Sequence, residues 1–326
     1  MNTAPTSPMT TPSESDATRT GANGQSAPGW REILAVAVLG AAFGAAWALW
    51  MGQDVNWDLR NYHFYTVWAW LHHRVTDNVA PAQQQTWINP LVYLPYYLLI
   101  RRAPPAIAGA LFGVIGGLNF VLVYVLARLV VAARKSAAVA AGLLSAAVAM
   151  SGGAFLNDLG RSDSDITVSI PVLAALIAIC WSHRPGISPS QRDTGYAVGG
   201  FFLGAACGLK VTCFVYALGL TAAIVILWWK LRVTARRFAL YAVGGIAGFL
   251  STGGYWSLFL WRHYQNPIFP FYNAAFHSPW AVKSNFRDPA AGSVGAANVR
   301  GKLRTRHPDG GQSTETRPQR AARRQS

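Results

Sequence analysis

Residues 33–51 read ILAVAVLGAAFGAAWALWM, a run of 19 residues without a charged side chain. At about 1.5 Å per residue, a helix of this length nearly matches the hydrocarbon core of a bilayer, which is about 30 Å thick. Six further apolar runs follow, and they cover residues 107–127, 137–155, 166–181, 196–209, 213–229 and 238–261. The pattern predicts an all-α integral membrane protein with about seven transmembrane helices, plus interfacial helices in the first extracytoplasmic loop.

The composition agrees with this class. Of the 326 residues, 52% are hydrophobic and only 13% are charged, which leaves no room for a soluble domain of useful size. The three cysteines, Cys180, Cys207 and Cys213, lie in or at the ends of apolar runs. Neither their number nor their spacing predicts a disulfide framework or a metal site.

The two ends of the chain differ from this apolar centre. Residues 1–29 are rich in Ser, Thr, Pro, Ala and Gly, and no basic region leads into a short apolar stretch. They predict a disordered cytoplasmic tail, whereas a cleaved signal peptide is not expected. The multi-pass domain covers residues 30–288, and residues 289–326 form a second tail that is basic and low in hydrophobicity.

The topology depends on residues 88–100, an apolar segment of 13 residues with two prolines. This segment is short for a span, so we expect an interfacial or re-entrant helix that does not cross. Three basic connections then share one face, which the excess of Lys and Arg predicts to be cytoplasmic. With that parity, residues 52–106 and 156–165 lie together on the extracytoplasmic face. If the segment does span, these two stretches separate.

Acidic residues are rare in the apolar region and fall mostly in those two stretches. Asp54 and Asp58 are spaced so that, on a helical turn, they share a face and could share a divalent cation. The alternative is that they are exposed loop carboxylates that cap a helix. Asp163 and Asp165 precede an apolar helix, where acids often serve only as caps, and Asp165 is closer to the membrane. Asp77 and Asp158 complete the two stretches.

Several other polar residues are candidates for a site. Arg60 and Arg161 could hold a phosphate through charge-assisted hydrogen bonds, or each could pair with a neighbouring Asp. His63 could be a general base or metal ligand, although packing at the interface is favoured. Lys210 interrupts an apolar block and is predicted at the outer turn of a helical hairpin. Because residues 196–209 make only about 21 Å of helix, Lys210 is expected below the headgroups, where it needs an anionic partner or water.

Four segments, in this order along the chain, resemble the polytopic glycosyltransferases of the C-type superfamily. The first is Asp58 followed four residues later by Tyr62, in an aromatic-rich segment after the first helix. The others are WINPLVYLPYYLL at 87–99, GRSDSDI at 160–166 and GLKVTCFVYALGL at 208–220. YQNPIFPFYNAAF at 264–276 is similar to a bacterial subgroup near glycosyltransferase family 87. Related enzymes often carry a basic residue where this chain has Asn89.

The resemblance implies transfer of a sugar from a polyprenyl-phosphate carrier to a glycan, lipid or protein acceptor, at the outer face of the bacterial inner membrane. Asp58, with Asp54 as second choice, would be the general base or help coordinate a divalent cation, and Asp165 is a further catalytic candidate. Inversion at the anomeric carbon is expected, and no nucleic acid partner is. The residues expected to bind substrate are Arg60, Tyr62, Arg161, Asp163 and Lys210.

The C-terminal tail departs from this family, since related enzymes continue with further membrane helices. Between residues 296 and 326 there are eight Lys or Arg and two acids. After seven spans this tail would lie outside, where basic segments are disfavoured. A truncated or frame-shifted end, with an inactive product, explains these features together. A polybasic arm that binds lipid headgroups or nucleic acid is the less favoured explanation.

A different class of function stays open, namely a transporter or lipid flippase in which the acids and Lys210 are ion sites along a pathway. We find no internal repeat and no paired Gly/Pro-broken helices in two corresponding halves. The acids also cluster at the ends of the apolar runs. Both observations favour chemistry at the membrane surface.

Overall fold

The protein is a bundle of helices, seen in a computed structural model that describes residues 28–77, 80–226, 228–231 and 233–284. These ranges contain helices, turns and loops but no strand, so the predicted all-α class is confirmed. The predictions for the two tails concern residues almost entirely outside the described ranges.

Thirteen α-helices occur in these ranges. They are α1 Trp30–Met51, α2 Phe64–Leu71, α3 Leu94–Ile100, α4 Pro105–Val130, α5 Lys135–Met150, α6 Gly153–Asp158, α7 Ser164–Ser182, α8 Pro189–Leu209, α9 Phe214–Ile226, α10 Trp228–Leu231, α11 Ala235–Phe249, α12 Tyr255–Tyr264 and α13 Asn273–Phe276. Two π-helical turns, Leu59–His63 and Leu250–Gly254, lead into α2 and join α11 to α12. Short 3₁₀ turns lie at Val75–Asp77, Gln83–Trp87, Pro90–Val92 and Val211–Cys213.

Three of the helices are long and apolar enough to cross a membrane, namely α1, α4 and α7. The other four predicted spans are helical but shorter, more polar or interrupted. Helix α5 stops at Met150, and Gly152 and Gly153 separate it from α6. A π turn divides α11 from α12, and α8 begins with a polar first turn. Seven crossings therefore stay a prediction.

Helix α8 begins seven residues earlier than the apolar pattern predicts. The Ser188 side chain accepts a hydrogen bond from the Gln191 backbone, and the Gln191 side chain accepts one from the Ser188 backbone. This reciprocal capping starts the helix at Pro189. With 21 residues, α8 is about 31 Å long. The helix before Lys210 is therefore longer than the roughly 21 Å that the apolar run predicted, and the depth of Lys210 stays a prediction.

Glycines allow the two closest helix pairs to form. A Cβ atom at Gly44 on α1 would lie 2.0 Å from the carbonyl oxygen of Gly113 on α4, and one at Gly204 on α8 would lie 1.9 Å from that of Gly245 on α11. Small residues four positions apart let helix backbones approach closely where an apolar surrounding supplies no hydrophobic drive between helices. These contacts fix α1 against α4 and α8 against α11.

The chain reverses so that both acidic stretches reach the same end of the bundle. The Ser162 backbone N–H donates to Asp54 Oδ2 across 2.8 Å, which joins the loop before α7 to the segment after α1. Helix α3 has only seven residues, or about 10 Å, and is too short to cross a bilayer. The two stretches therefore meet, as the sequence predicted for a non-crossing segment 88–100.

Candidate functional site

Asp54 joins the segment after α1 to the loop before α7 by hydrogen bonds. Its side chain is buried, and Oδ2 accepts hydrogen bonds from the Ser162 backbone at 2.8 Å and from the Tyr96 hydroxyl at 3.3 Å. Its Oδ1 accepts from the Asn56 backbone at 3.1 Å. Both carboxylate oxygens are thus engaged in holding the fold, so the geometry gives Asp54 a structural role.

Asn56 forms a second bridge between the loops. Its Nδ2 donates to Asp163 Oδ2 at 2.9 Å, and its Oδ1 accepts from the Leu59 backbone at 2.6 Å. The same side chain therefore starts the π turn and positions the Asp163 carboxylate. Asn56 and Ser162 were not predicted from the sequence, in which their one signal is a position among the acids, in QDVNWD and GRSDSD.

The π turn Leu59–His63 carries two neighbouring residues that are both buried, Tyr62 and His63. The imidazole of His63 stacks on the ring of Tyr93, with 4.1 Å between ring centroids, and its Nδ1 lies 2.8 Å from Ser162 Oγ. Burial raises the pKa of the Tyr62 hydroxyl, and the nearby Tyr93 and Asp58 contribute in the same direction. Asp58 is half-buried and directly precedes the turn.

Asp58, His63 and Asp163 form the centre of the site. One ligand atom from each lies within 4.8 Å of the others. Burial, together with the nearby carboxylates of Asp158, Asp54 and Asp58, raises the pKa of Asp163 to about 6. Burial also lowers the pKa of His63 to about 3, so its imidazole is neutral at physiological pH. The carboxylates of this cluster can accept a proton, and together with the neutral imidazole they can bind a cation.

Lys210 lies in the turn between α8 and α9. Its Nζ is 2.7 Å from Asp165 Oδ1, which supplies the anionic partner that the sequence analysis required. The Asp165 side chain is 67% exposed, whereas that of Lys210 is 20% exposed. An anion that approaches from the Asp165 side can therefore reach the Lys210 ammonium.

An apolar cavity of about 110 Å³ adjoins Lys210. Its wall includes Pro267, Ile268, Phe269 and Phe271, of which Phe269 is fully buried. Aromatic and aliphatic side chains make up most of the rest of the wall, so the cavity suits an apolar group whose charged end reaches Lys210. The lining includes Trp87, Leu209, Phe249, Trp256 and Phe269.

Asn89 stands between this cavity and the site, and all its hydrogen-bonding capacity is used. Its Nδ2 donates to the carbonyl oxygens of Gly208 and Thr252 at 2.8 and 2.9 Å. Its Oδ1 accepts from the Leu91 backbone and from the Tyr255 hydroxyl. Asn89 therefore joins the proline segment to α8 and to the second π turn.

The two arginines flank the cluster without joining it. Arg60 is exposed, and Arg161 is half-buried with its Nη1 3.3 Å from Asn157 Oδ1. Among the described residues, neither forms an ion pair within 4 Å of an acid. Asp77 lies outside the cluster, in an exposed ion pair with Arg74. The predicted residues that the fold brings together are thus Asp54, Asp58, Tyr62, Asp163, Asp165 and Lys210.

Comparison with known proteins found no matching family model, no similar curated protein and no similar solved structure. The interpretation of the site consequently depends on its own geometry and chemistry.

Proposed function

We propose that this chain is a membrane glycosyltransferase that moves a sugar from a polyprenyl-phosphate carrier to an extracytoplasmic acceptor. The observation that carries the proposal is the position of the carboxylate cluster beside Lys210 and an apolar cavity, at one end of helices able to cross a membrane. A lipid-linked phosphate has an apolar chain and a charged head, and this arrangement offers a contact to each.

Asp58 is the general base in this mechanism. It takes the proton of the acceptor hydroxyl while that oxygen forms a bond to the anomeric carbon. The bond from the anomeric carbon to the phosphate oxygen breaks, and its electron pair leaves with the lipid phosphate. Lys210 neutralises the charge that develops on this leaving group, and Arg161 and Arg60 lie in the flanking loops.

The surroundings of each acid support the choice of Asp58. The carboxylate oxygens of Asp54 accept backbone and hydroxyl hydrogen bonds, and Asp165 is paired with Lys210. Asp163 has a pKa raised to about 6, which makes it a proton-sharing partner in the cluster. Asp58 is half-buried and borders the cluster, so a substrate hydroxyl can reach it.

The proposed orientation places the carboxylate cluster outside and the N-terminus in the cytoplasm of a bacterial cell. At the opposite end of the bundle, Arg128 pairs with Glu32, and Arg237 pairs with Asp193 at 2.9 Å. This end carries the basic connections, as the positive-inside rule expects for a cytoplasmic face. A transporter would instead need ionisable groups along a path through the membrane, whereas this cluster lies at helix ends.

The direct test uses purified protein in liposomes, with a panel of polyprenyl-phosphate hexoses and pentoses as donors and bacterial membrane glycans as acceptors. An Asp58→Asn variant should lose about 10²–10⁴-fold in transfer rate, because a positioned general base contributes that much. Asp77→Asn is the matched control, since Asp77 is an exposed acid of the same loop paired only with Arg74.

Retained transfer in Asp58→Asn would remove Asp58 as the base. Absence of transfer from every donor by the wild-type protein would count against the glycosyltransferase itself.

A further inference from the structure

His63 is a buried polar side chain, and only one of its two ring nitrogens forms a hydrogen bond among the described residues. Its side chain is only 3% exposed, and its Nδ1 is taken by the Ser162 hydroxyl. Among the described residues, Nε2 has no hydrogen-bond partner. This nitrogen is therefore available to a ligand that reaches the cluster.

The two nearest carboxylates belong to different loops. A ligand nitrogen of His63 and one oxygen each of Asp58 and Asp163 all lie within 4.8 Å of one another. Two ligands bound to one ion at about 2.1 Å can be at most about 4.2 Å apart. Side-chain movements of less than about an ångström would therefore bring all three ligands onto a single ion.

Neighbouring groups already hold two of these three side chains. Asn56 Nδ2 donates to Asp163, and Ser162 Oγ contacts His63 Nδ1. Metal ligands in proteins are commonly oriented by such outer hydrogen bonds, which fix the imidazole and the carboxylates in place. These hydrogen bonds position the side chains more firmly than those of exposed surface acids are positioned.

We propose that Asp58, His63 and Asp163 bind one divalent transition-metal cation, Zn²⁺ or Mn²⁺. One imidazole nitrogen and two carboxylate oxygens suit these ions, whereas Ca²⁺ takes six to eight oxygen ligands. Asp54 is not a ligand, because its oxygens face the Ser162 backbone and the Tyr96 hydroxyl. The sequence spacing alone had paired Asp54 with Asp58 for this purpose.

The local charge agrees with cation binding. Asp54 and Asp158 add negative charge near Asp163, and the nearest lysine, Lys210, is neutralised by Asp165. Arg161 opposes the cation, but its guanidinium points toward Asn157 through Nη1. The carboxylates therefore outnumber the free positive charges around the cluster.

In a transferase the ion would lower the pKa of the bound acceptor hydroxyl, a role that depends on the proposed function. One oxygen of Asp58 binds the ion, and its second oxygen receives the hydroxyl proton. Metal binding itself depends only on the three ligands, so it can be measured in the absence of donor and acceptor.

The test is equilibrium dialysis of the full-length protein in detergent, first stripped with a chelator and then exposed to Zn²⁺ or Mn²⁺ alone. Metal content is measured by mass spectrometry. We expect a single ion per chain. His63→Gln and Asp163→Asn should each weaken binding by about 100-fold, while Asp77→Asn binds as the wild type does. Elution as one symmetrical peak checks that each variant is folded.

Failure of the wild-type protein to bind either ion would overturn the proposal, as would unchanged affinity in Asp163→Asn. Because Asp163 is half-buried, the Asp163→Asn variant tests the proposal even if His63→Gln does not fold. Metal binding without sugar transfer would contradict only the proposed function, and sugar transfer by a protein that binds no metal would contradict only this inference.

Discussion

At the residue scale, Asp54 and Asp58 show how two acids four positions apart acquire different surroundings. Asp54 is buried and accepts a hydrogen bond from the second loop, whereas Asp58 is half-buried beside Asp163 and His63. Their i and i+4 spacing predicted a shared face. The π turn that begins at Leu59 and the bonds to Ser162 direct the two carboxylates to different partners instead.

A first prediction follows for Asp54→Asn. The amide keeps one acceptor oxygen but presents an NH₂ group to donors, so at least one buried hydrogen bond is lost. We expect a loss of about 1–3 kcal/mol in the free energy of unfolding, measured by thermal unfolding in detergent. Asp58→Asn is the control and should unfold near the wild-type temperature. Equal unfolding temperatures for Asp54→Asn and the wild type would contradict the structural role of Asp54.

At the element scale, one π turn carries a residue of the carboxylate cluster and the other borders the apolar cavity. The turn Leu59–His63 brings Tyr62 and His63 inward together, and in the turn Leu250–Gly254 the Thr252 carbonyl accepts from Asn89. π turns inside α-helices frequently mark functional sites. Apolar periodicity did not reveal either turn, since each adds a residue to a helix without changing its hydrophobicity.

The glycine contacts between α8 and α11 carry the second prediction. A Cβ at Gly204 would lie 1.9 Å from the Gly245 carbonyl oxygen, so Gly204→Ala must push the helices apart. We expect a cost of about 1–3 kcal/mol, seen as a lower unfolding temperature in detergent. Gly219→Ala on α9 is the control, because nothing lies within 4 Å of its Cβ position. If both variants unfold alike, close packing of α8 on α11 is not the reason for Gly204.

At the scale of the whole molecule, the meeting of the two acidic stretches requires that both open on one face of the membrane. This gives the third prediction, in which Gln53→Cys, Asn157→Cys and Arg236→Cys are made singly in a protein lacking the three native cysteines. All three positions are exposed. An impermeant maleimide should label the first two in intact cells and the third only after lysis.

Labelling in the reverse pattern would invert the proposed orientation. Labelling of Gln53→Cys and Asn157→Cys from opposite faces would contradict the meeting of the two loops.

The sequence by itself determined the helical class, because long uncharged runs satisfy their backbone groups in an apolar environment only as helices. It also located the acids and Lys210, since charges are rare in such runs. Helix starts were less predictable: the capping box at Ser188 placed the start of α8 among polar residues that the apolar count omitted.

Only the tertiary structure decided which groups meet. Asp54 and Ser162 are 108 positions apart, and their contact depends on how glycine-mediated packing sets α1 against α4, and on α7 packing beside α4. The same packing occupies the Asp54 carboxylate with hydrogen bonds and brings His63 to Asp58 and Asp163. Composition and spacing describe each segment alone, whereas the partners of a side chain are set by close packing between segments distant in the chain.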